Sequence, residues 1–151
     1  EPGCRPWSGT GTMLLVVTPL EGLERLRVAA GSGDLRALCR RYRINLLTVF
    51  GSVGRGEPEP RDLDIGVLSD YGAVIDLFGL VTEMIDLVGL DDVDVVHLNS
   101  AGPLLRERAL VGAIILHEEE PGTWARASTA AVMERLDTDW LRQLGLELLA
   151  G

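Results

Sequence analysis

Short apolar runs alternate with longer stretches of helical period along this chain. From Leu20 to Arg43 the apolar positions recur at helical spacing and break at Gly31-Ser32-Gly33. That pattern predicts two helices, with Asp34 as the N-cap of the second, Leu35 to Tyr42. Asn45 to Phe50 reads as a first strand, and Val53 to Glu57 as a short helix stopped by Pro58 and Pro60. Leu63 to Leu68 is the second strand. Ala73 to Val88 predicts a helix that is apolar on most sides through Val74, Leu77, Phe78, Val81, Ile85 and Val88, and so largely buried. Val93 to Leu98 is the third strand, and Pro103 to Leu110 a helix with proline in its first turn. Ala113 to Leu116 is a short fourth strand at a candidate sheet edge. Thr123 to Leu149 predicts a last helix, with a candidate kink near Asp137. The order implies an α/β (α+β) fold: a small mixed sheet of about four strands flanked by helices.

Composition narrows the picture without redrawing it. The length suits one domain with a real core, expected over residues 13–151. Glu1 to Thr12, rich in Gly and Pro, reads as a disordered leader or an artefact, and Met13 is a candidate natural start. A net charge of −9 leaves no basic patch, which speaks against direct nucleic-acid binding and favours a basic protein partner. Cys4 and Cys39 are too few and too isolated for a disulfide framework or a zinc site, as expected of a reduced, cytoplasmic protein. No apolar stretch approaches the length of a membrane span.

The chemistry concentrates in one segment. Val49-Phe50-Gly51-Ser52 is an apolar strand running into a small turn, and Asp62-Leu63-Asp64 follows nine residues later. Residues i and i+2 of a strand face the same way, with Cα atoms roughly 6.5–7 Å apart. Asp62 and Asp64 are therefore aimed at one region. Two such charges repel by about 4 kcal/mol at short range and an effective dielectric near 20. A cation between them relieves that repulsion, and oxygen-only ligands suit Mg²⁺ or Mn²⁺. Gly51 has no Cβ and lets a ligand approach the backbone. A helix starting near Ser52 would point its free N–H groups at a phosphate. A phosphate cradle beside a pair of metal-binding carboxylates suits nucleoside triphosphate chemistry.

The string Phe50-Gly51-Ser52-Val53-Gly54-Arg55-Gly56, with Asp62-Leu63-Asp64-Ile65 after it, resembles the nucleotidyltransferase superfamily of DNA polymerase beta. It looks most like the small prokaryotic minimal nucleotidyltransferase (MNT) group, over about residue 20 to the C-terminus. That resemblance implies a polymerase-beta-like nucleotidyltransferase fold and a third carboxylate on a later strand. Asp91-Asp92-Val93-Asp94-Val95-Val96-His97-Leu98 offers Asp94, set inside the apolar run where an unpaired carboxylate is costly. Arg61 departs from the small polar residue the family often carries there. By the same resemblance, Asp62 and Asp64 would bridge two metals, and Asp94 would hold the one that binds the attacking hydroxyl. Ser52 and its backbone would grip the phosphates of ATP. Stand-alone MNT proteins typically act as antitoxins of a HEPN-domain toxin, transferring AMP to one of its tyrosines. The resemblance therefore implies a Mg²⁺-dependent adenylyltransferase antitoxin with ATP as substrate. Two alternatives stay open: a binding-only antitoxin, and a nucleotidyltransferase for a small hydroxylated molecule. Self-association into a homo-oligomer is also open.

The remaining candidates are weaker. Arg55 either contacts a phosphate or solvates its helix. His97 points away from Asp94 and is expected to be a packed or surface histidine. Glu118-Glu119-Glu120 is expected to be a solvated turn. Trp140, Leu141, Leu144 and Leu148 form an apolar stripe at helical spacing, expected to cover the domain's own core, with a partner-facing surface as the alternative. Trp124 is read the same way.

Overall fold

A computed structural model describes residues 16–150; the predicted leader and Met13 lie outside that range. The first described helix, α1, spans Pro19–Ser32. A reciprocal capping box starts it: Thr18 Oγ1 accepts from the Glu21 amide, and the Thr18 amide donates to Glu21 Oε2 at 2.7 Å. Gly33 ends it in the left-handed conformation (φ 92°) and also serves as N-cap of α2, Asp34–Arg41. Asp34 is thus inside the helix rather than capping it, and its carboxylate instead accepts a hydrogen bond from Ser32 Oγ at 2.7 Å.

β1 covers Ile44–Phe50 and runs directly into α3, the single turn Gly51–Gly54. β2 is Leu63–Ser69, and α4 is Leu77–Val88. β3 is Val93–His97, α5 is Pro103–Leu110, and β4 is Ile114–Glu118. α6 spans Thr123–Ala150 without interruption at Asp137. The strands form one mixed sheet in the order β3-β2-β1-β4. β1 is antiparallel to both β2 and β4, whereas β2 and β3 are parallel. A parallel pair needs a crossover, and α4 supplies it. β4 is an edge, as expected; β3 is the other.

Strand alternation divides the core between the two faces. Leu47, Val49, Ile65 and Val67 face the layer of α1, α2 and α4, where Leu26, Leu35 and Met84 complete a dry cluster. Leu46 and Phe50 face the other way, onto Leu98, Ala109, Leu110 and Ala131 of the α5–α6 side. Thr48 shares that second face. It is fully buried, and its hydroxyl donates to the Ala109 carbonyl at 2.8 Å, tying α5 to the middle of β1.

Two expectations fail here for physical reasons. The helix expected from Ala73 begins only at Leu77, because Asp76 caps it by accepting from the Gly79 amide at 2.9 Å. It is also not buried all round. Leu80, Met84 and Val88 carry its core stripe, while Val74 (95 % exposed) and Phe78 (84 %) face outward. The apolar stripe of α6 likewise does not cover this domain's core. Only Ala131 of that helix is fully buried, and Trp140, Leu141, Leu144 and Leu148 are exposed. Among the described residues no helix is long and apolar enough to cross a membrane.

Candidate active site

The carboxylates converge because of strand register. Asp64 is the second residue of β2, and Asp94 the second residue of β3. The parallel ladder pairs them directly, Asp64 to Asp94. Paired residues of adjacent strands point to the same face, and neighbouring strands lie about 4.8 Å apart. On the other side Asp64 pairs with Phe50, which belongs to the α5–α6 face. The acids therefore emerge beneath α5, where β1 turns into α3. Asp62 lies one residue before β2, in a bend rather than on the strand. Asp94 is solvent-exposed on the edge strand, contrary to its expected burial, because no strand covers β3 from outside. Asp91 and Asp92 are exposed, as expected.

Charge and burial act together on Asp64. Partial burial pushes its carboxyl above the ordinary aspartate range, the negative charges of Asp62 and Asp94 push the same way, and Arg55 opposes them. Asp64 is thus the group most relieved by a bound cation. Among the described residues no group of three or more acidic, His or Cys side chains is arranged to hold a metal ion as it stands. The donor set is nevertheless right for a hard divalent ion, since Asp62, Asp64 and Asp94 offer only oxygen.

The Gly-Ser turn fits closely against these acids. Gly51 has φ +67°, a backbone that L side chains rarely adopt. A Cβ placed there would stand 2.9 Å from Asp64 Cγ, and closer still to its Oδ2. The bare backbone of residue 51 is what lets the Asp64 carboxylate lie over the turn. The helix begins at Gly51 itself, two residues earlier than expected. Ser52 Oγ is buried and has no hydrogen-bond partner among the described residues. A buried hydroxyl left unpaired is costly, and such a group commonly marks a ligand position. It lies on a pocket of about 640 Å³ whose walls include Gly51, Ser52, Arg55, Asp62 and Asp64 from the turn side and Leu105, Arg108 and Val111 from α5 and beyond.

The structure sorts the remaining candidates. Arg55 reaches the pocket, yet its guanidinium is held by Glu57 at 2.6 and 2.9 Å. His97 is a packed histidine: its Nε2 lies 2.9 Å from Ser69 Oγ. The three glutamates are not a plain solvated turn. Glu118 caps the last helix by accepting from the Trp124 amide at 2.8 Å. Glu119 is ion-paired with Arg40 at 2.8 Å and sits 3.5 Å from the buried His117 Nε2. Trp124 is partly buried against the second core cluster, and its indole donates to the Leu110 carbonyl at 2.9 Å. Arg108 escaped the sequence reading, because only the packing of α5 over β1 brings it to the pocket.

A mixed sheet that sets carboxylates on neighbouring strands beside a Gly-Ser turn defines a nucleotidyl-transfer type of protein. The comparisons agree. The chain belongs to the polymerase beta nucleotidyltransferase family, whose described domain, "Polymerase beta, Nucleotidyltransferase", matches residues 34–121, more than half of its length. Among solved structures, a toxin–antitoxin complex with AMP-PNP superposes with a TM-score of 0.62 at 20 % identity, over 79 % of this chain and 98 % of the other. A complex of the tri-AMPylated HEPN toxin of Shewanella oneidensis with MNT antitoxin superposes with a TM-score of 0.60 at 18 % identity, over 83 % and 99 % of the two chains. The MntA-HepT toxin–antitoxin gives 0.58 at 18 % identity, over 79 % and 96 %. At these identities the likeness is one of fold. Comparison with curated proteins finds no significant match.

Proposed function

We propose that this chain transfers AMP from ATP to a hydroxyl of a partner protein, a tyrosine of a HEPN-domain toxin, and thereby acts as its antitoxin. The observation that carries the reading is the direct ladder pairing of Asp64 with Asp94, beside a Gly51-Ser52 turn whose buried hydroxyl has no partner among the described residues. The structural neighbours support the choice of partner, because they are toxin–antitoxin complexes, one with AMP-PNP and one of an AMPylated HEPN toxin with an MNT antitoxin.

Asp62, Asp64 and Asp94 would hold Mg²⁺, or Mn²⁺ in its place. When bound, the ion supplies charge neutralisation at the α-phosphate and the leaving pyrophosphate. The chain's own groups do the rest. Ser52 donates to the phosphate tail. The bare Gly51 backbone lets that tail lie against the turn. Asp94, exposed on the edge strand, takes the proton from the attacking hydroxyl. The hydroxyl oxygen bonds to the α-phosphorus, the bond to the bridging oxygen breaks, and pyrophosphate leaves with that electron pair.

One observation favours a second reading, an antitoxin that works by contact alone: the acids are not gathered into a metal cluster among the described residues. Co-expression with a HEPN partner and intact-mass analysis separates the two. A gain of one AMP or more on the partner, lost in Asp62→Asn/Asp64→Asn, supports transfer. A tight complex without mass gain, with neutralisation indifferent to those substitutions, supports contact. Neither complex nor modification returns the question to a small hydroxylated acceptor.

A further inference from the structure

The α5 side of the pocket carries an unclaimed charge. Arg108 lies in the last turn of α5 and lines the same cavity as Gly51, Ser52, Asp62 and Asp64. Its side chain is exposed, and among the described residues it has neither an ion-pair partner nor a hydrogen bond. Two arginines packed near it are engaged. Arg106 is held by Glu134 and by the Leu98 and Ala101 carbonyls, and Arg135 by Glu107 at 2.9 Å. The other arginine of the pocket, Arg55, is taken by Glu57. Arg108 is therefore the one cation lining this cavity that no described carboxylate neutralises.

We propose that Arg108 binds the triphosphate tail of the nucleotide, clamping it from the α5 side against Ser52. The assignment rests on the nucleotidyl-transfer reading above and names a residue of that site. A guanidinium presents a rigid fork of donors that matches two phosphate oxygens at once. The pocket already holds two acids, so a polyphosphate entering it needs an uncommitted positive charge beyond any ion the acids hold. α5 is well placed to supply it, because the buried Thr48–Ala109 hydrogen bond fixes its C-terminal half one residue from Arg108. The guanidinium then discriminates ATP from AMP, since it acts on the β- and γ-phosphates and not on the nucleoside.

The test measures binding by calorimetry in Mg²⁺ with three probes: ATP, AMP and inorganic tripolyphosphate. Arg108→Ala should weaken ATP and tripolyphosphate by about 10- to 100-fold, the range of a lost charge-assisted bidentate contact, and leave AMP unchanged. Arg108→Lys should recover part of the loss, because it keeps the charge and loses the fork. Arg142→Ala, on the adjoining α5–α6 groove but away from the acids, should change nothing. Unchanged ATP affinity in Arg108→Ala, or an equal loss for ATP and AMP, overturns the assignment while leaving the transfer reading in place. Arg108-dependent binding of tripolyphosphate by a wild-type protein that ignores ATP upholds the clamp and overturns adenylyl transfer. A wild-type protein that binds none of the three overturns both.

Discussion

Replacing Gly51 with alanine separates two contributions at the turn. The first is conformational. Residue 51 has φ +67°, and holding an L residue in that region costs about 1–2 kcal/mol. The second is steric. The new methyl would stand 2.9 Å from Asp64 Cγ and meet the carboxylate head-on, so the carboxylate must swing away. An off-rotamer aspartate costs about 0.5–1.5 kcal/mol. The two sum to roughly 1.5–3.5 kcal/mol, which in a domain of this size lowers Tm by about 3–14 °C. Removing the carboxylate first, in Asp64→Ala, should leave only the conformational part. A double-mutant cycle of thermal unfolding therefore expects a coupling of about 0.5–1.5 kcal/mol between the two positions. Mg²⁺-ATP affinity should fall in Gly51→Ala, because the methyl occupies the approach to the backbone and displaces Asp64. A coupling within error of zero would refute the close contact of turn and carboxylate. Undiminished ATP affinity would place the phosphates elsewhere.

Three further outcomes follow from the same geometry. Asp64 binds its proton more tightly in the folded protein than in the unfolded chain, so metal-free stability should fall as pH rises from the ordinary aspartate pKa, about 3.9, through its raised value. Asp64→Asn should flatten that descent in urea titrations, and Mg²⁺ affinity of the wild type should weaken as pH falls through the same window. Burial lowers the pKa of His117, with Glu119 opposing, so the folded state takes up this proton less readily than the unfolded chain. Stability should then drop as pH falls below about 6.5, and His117→Gln should remove that part of the pH dependence, read by thermal melts between pH 5 and 8. Thr48→Val keeps the shape but orphans the Ala109 carbonyl, and should cost about 1–3 kcal/mol in chemical denaturation.

Local signals carried much of the fold. Pro103 at a helix start and the compact run ending at Phe50 set α5 and β1 close to where they lie, because both features act within a few residues. The Gly51-Ser52 turn and the acids at 62 and 64 were visible for the same reason. What escaped depends on partners distant in sequence. Glu119 looks solvent-bound until Arg40, 79 residues away, closes on it. Val74 and Phe78 suggest a buried helix until α1 and α2 are seen to cover only its other side. Asp94 seemed costly within an apolar run, yet β3 is an edge and one side of it meets water. Arg108 has no local pattern at all; only the packing of α5 on β1 gives it meaning.

The place of Asp94 on that edge has a consequence for solubility. An uncovered strand rich in valine, as Val93, Val95 and Val96 make it, offers its free amides and carbonyls to any passing chain. A charge near the start of such a strand repels a second copy laid alongside it in parallel register, where two Asp94 carboxylates would meet across the new ladder. The carboxylate proposed to take part in the chemistry would thus also guard the sheet against edge-to-edge pairing. An alanine at this position removes both properties together. A variant made that way should assemble more readily into β-stacked aggregates, read by light scattering, whereas substitution at Asp62, which lies off the strand, should leave the guard in place.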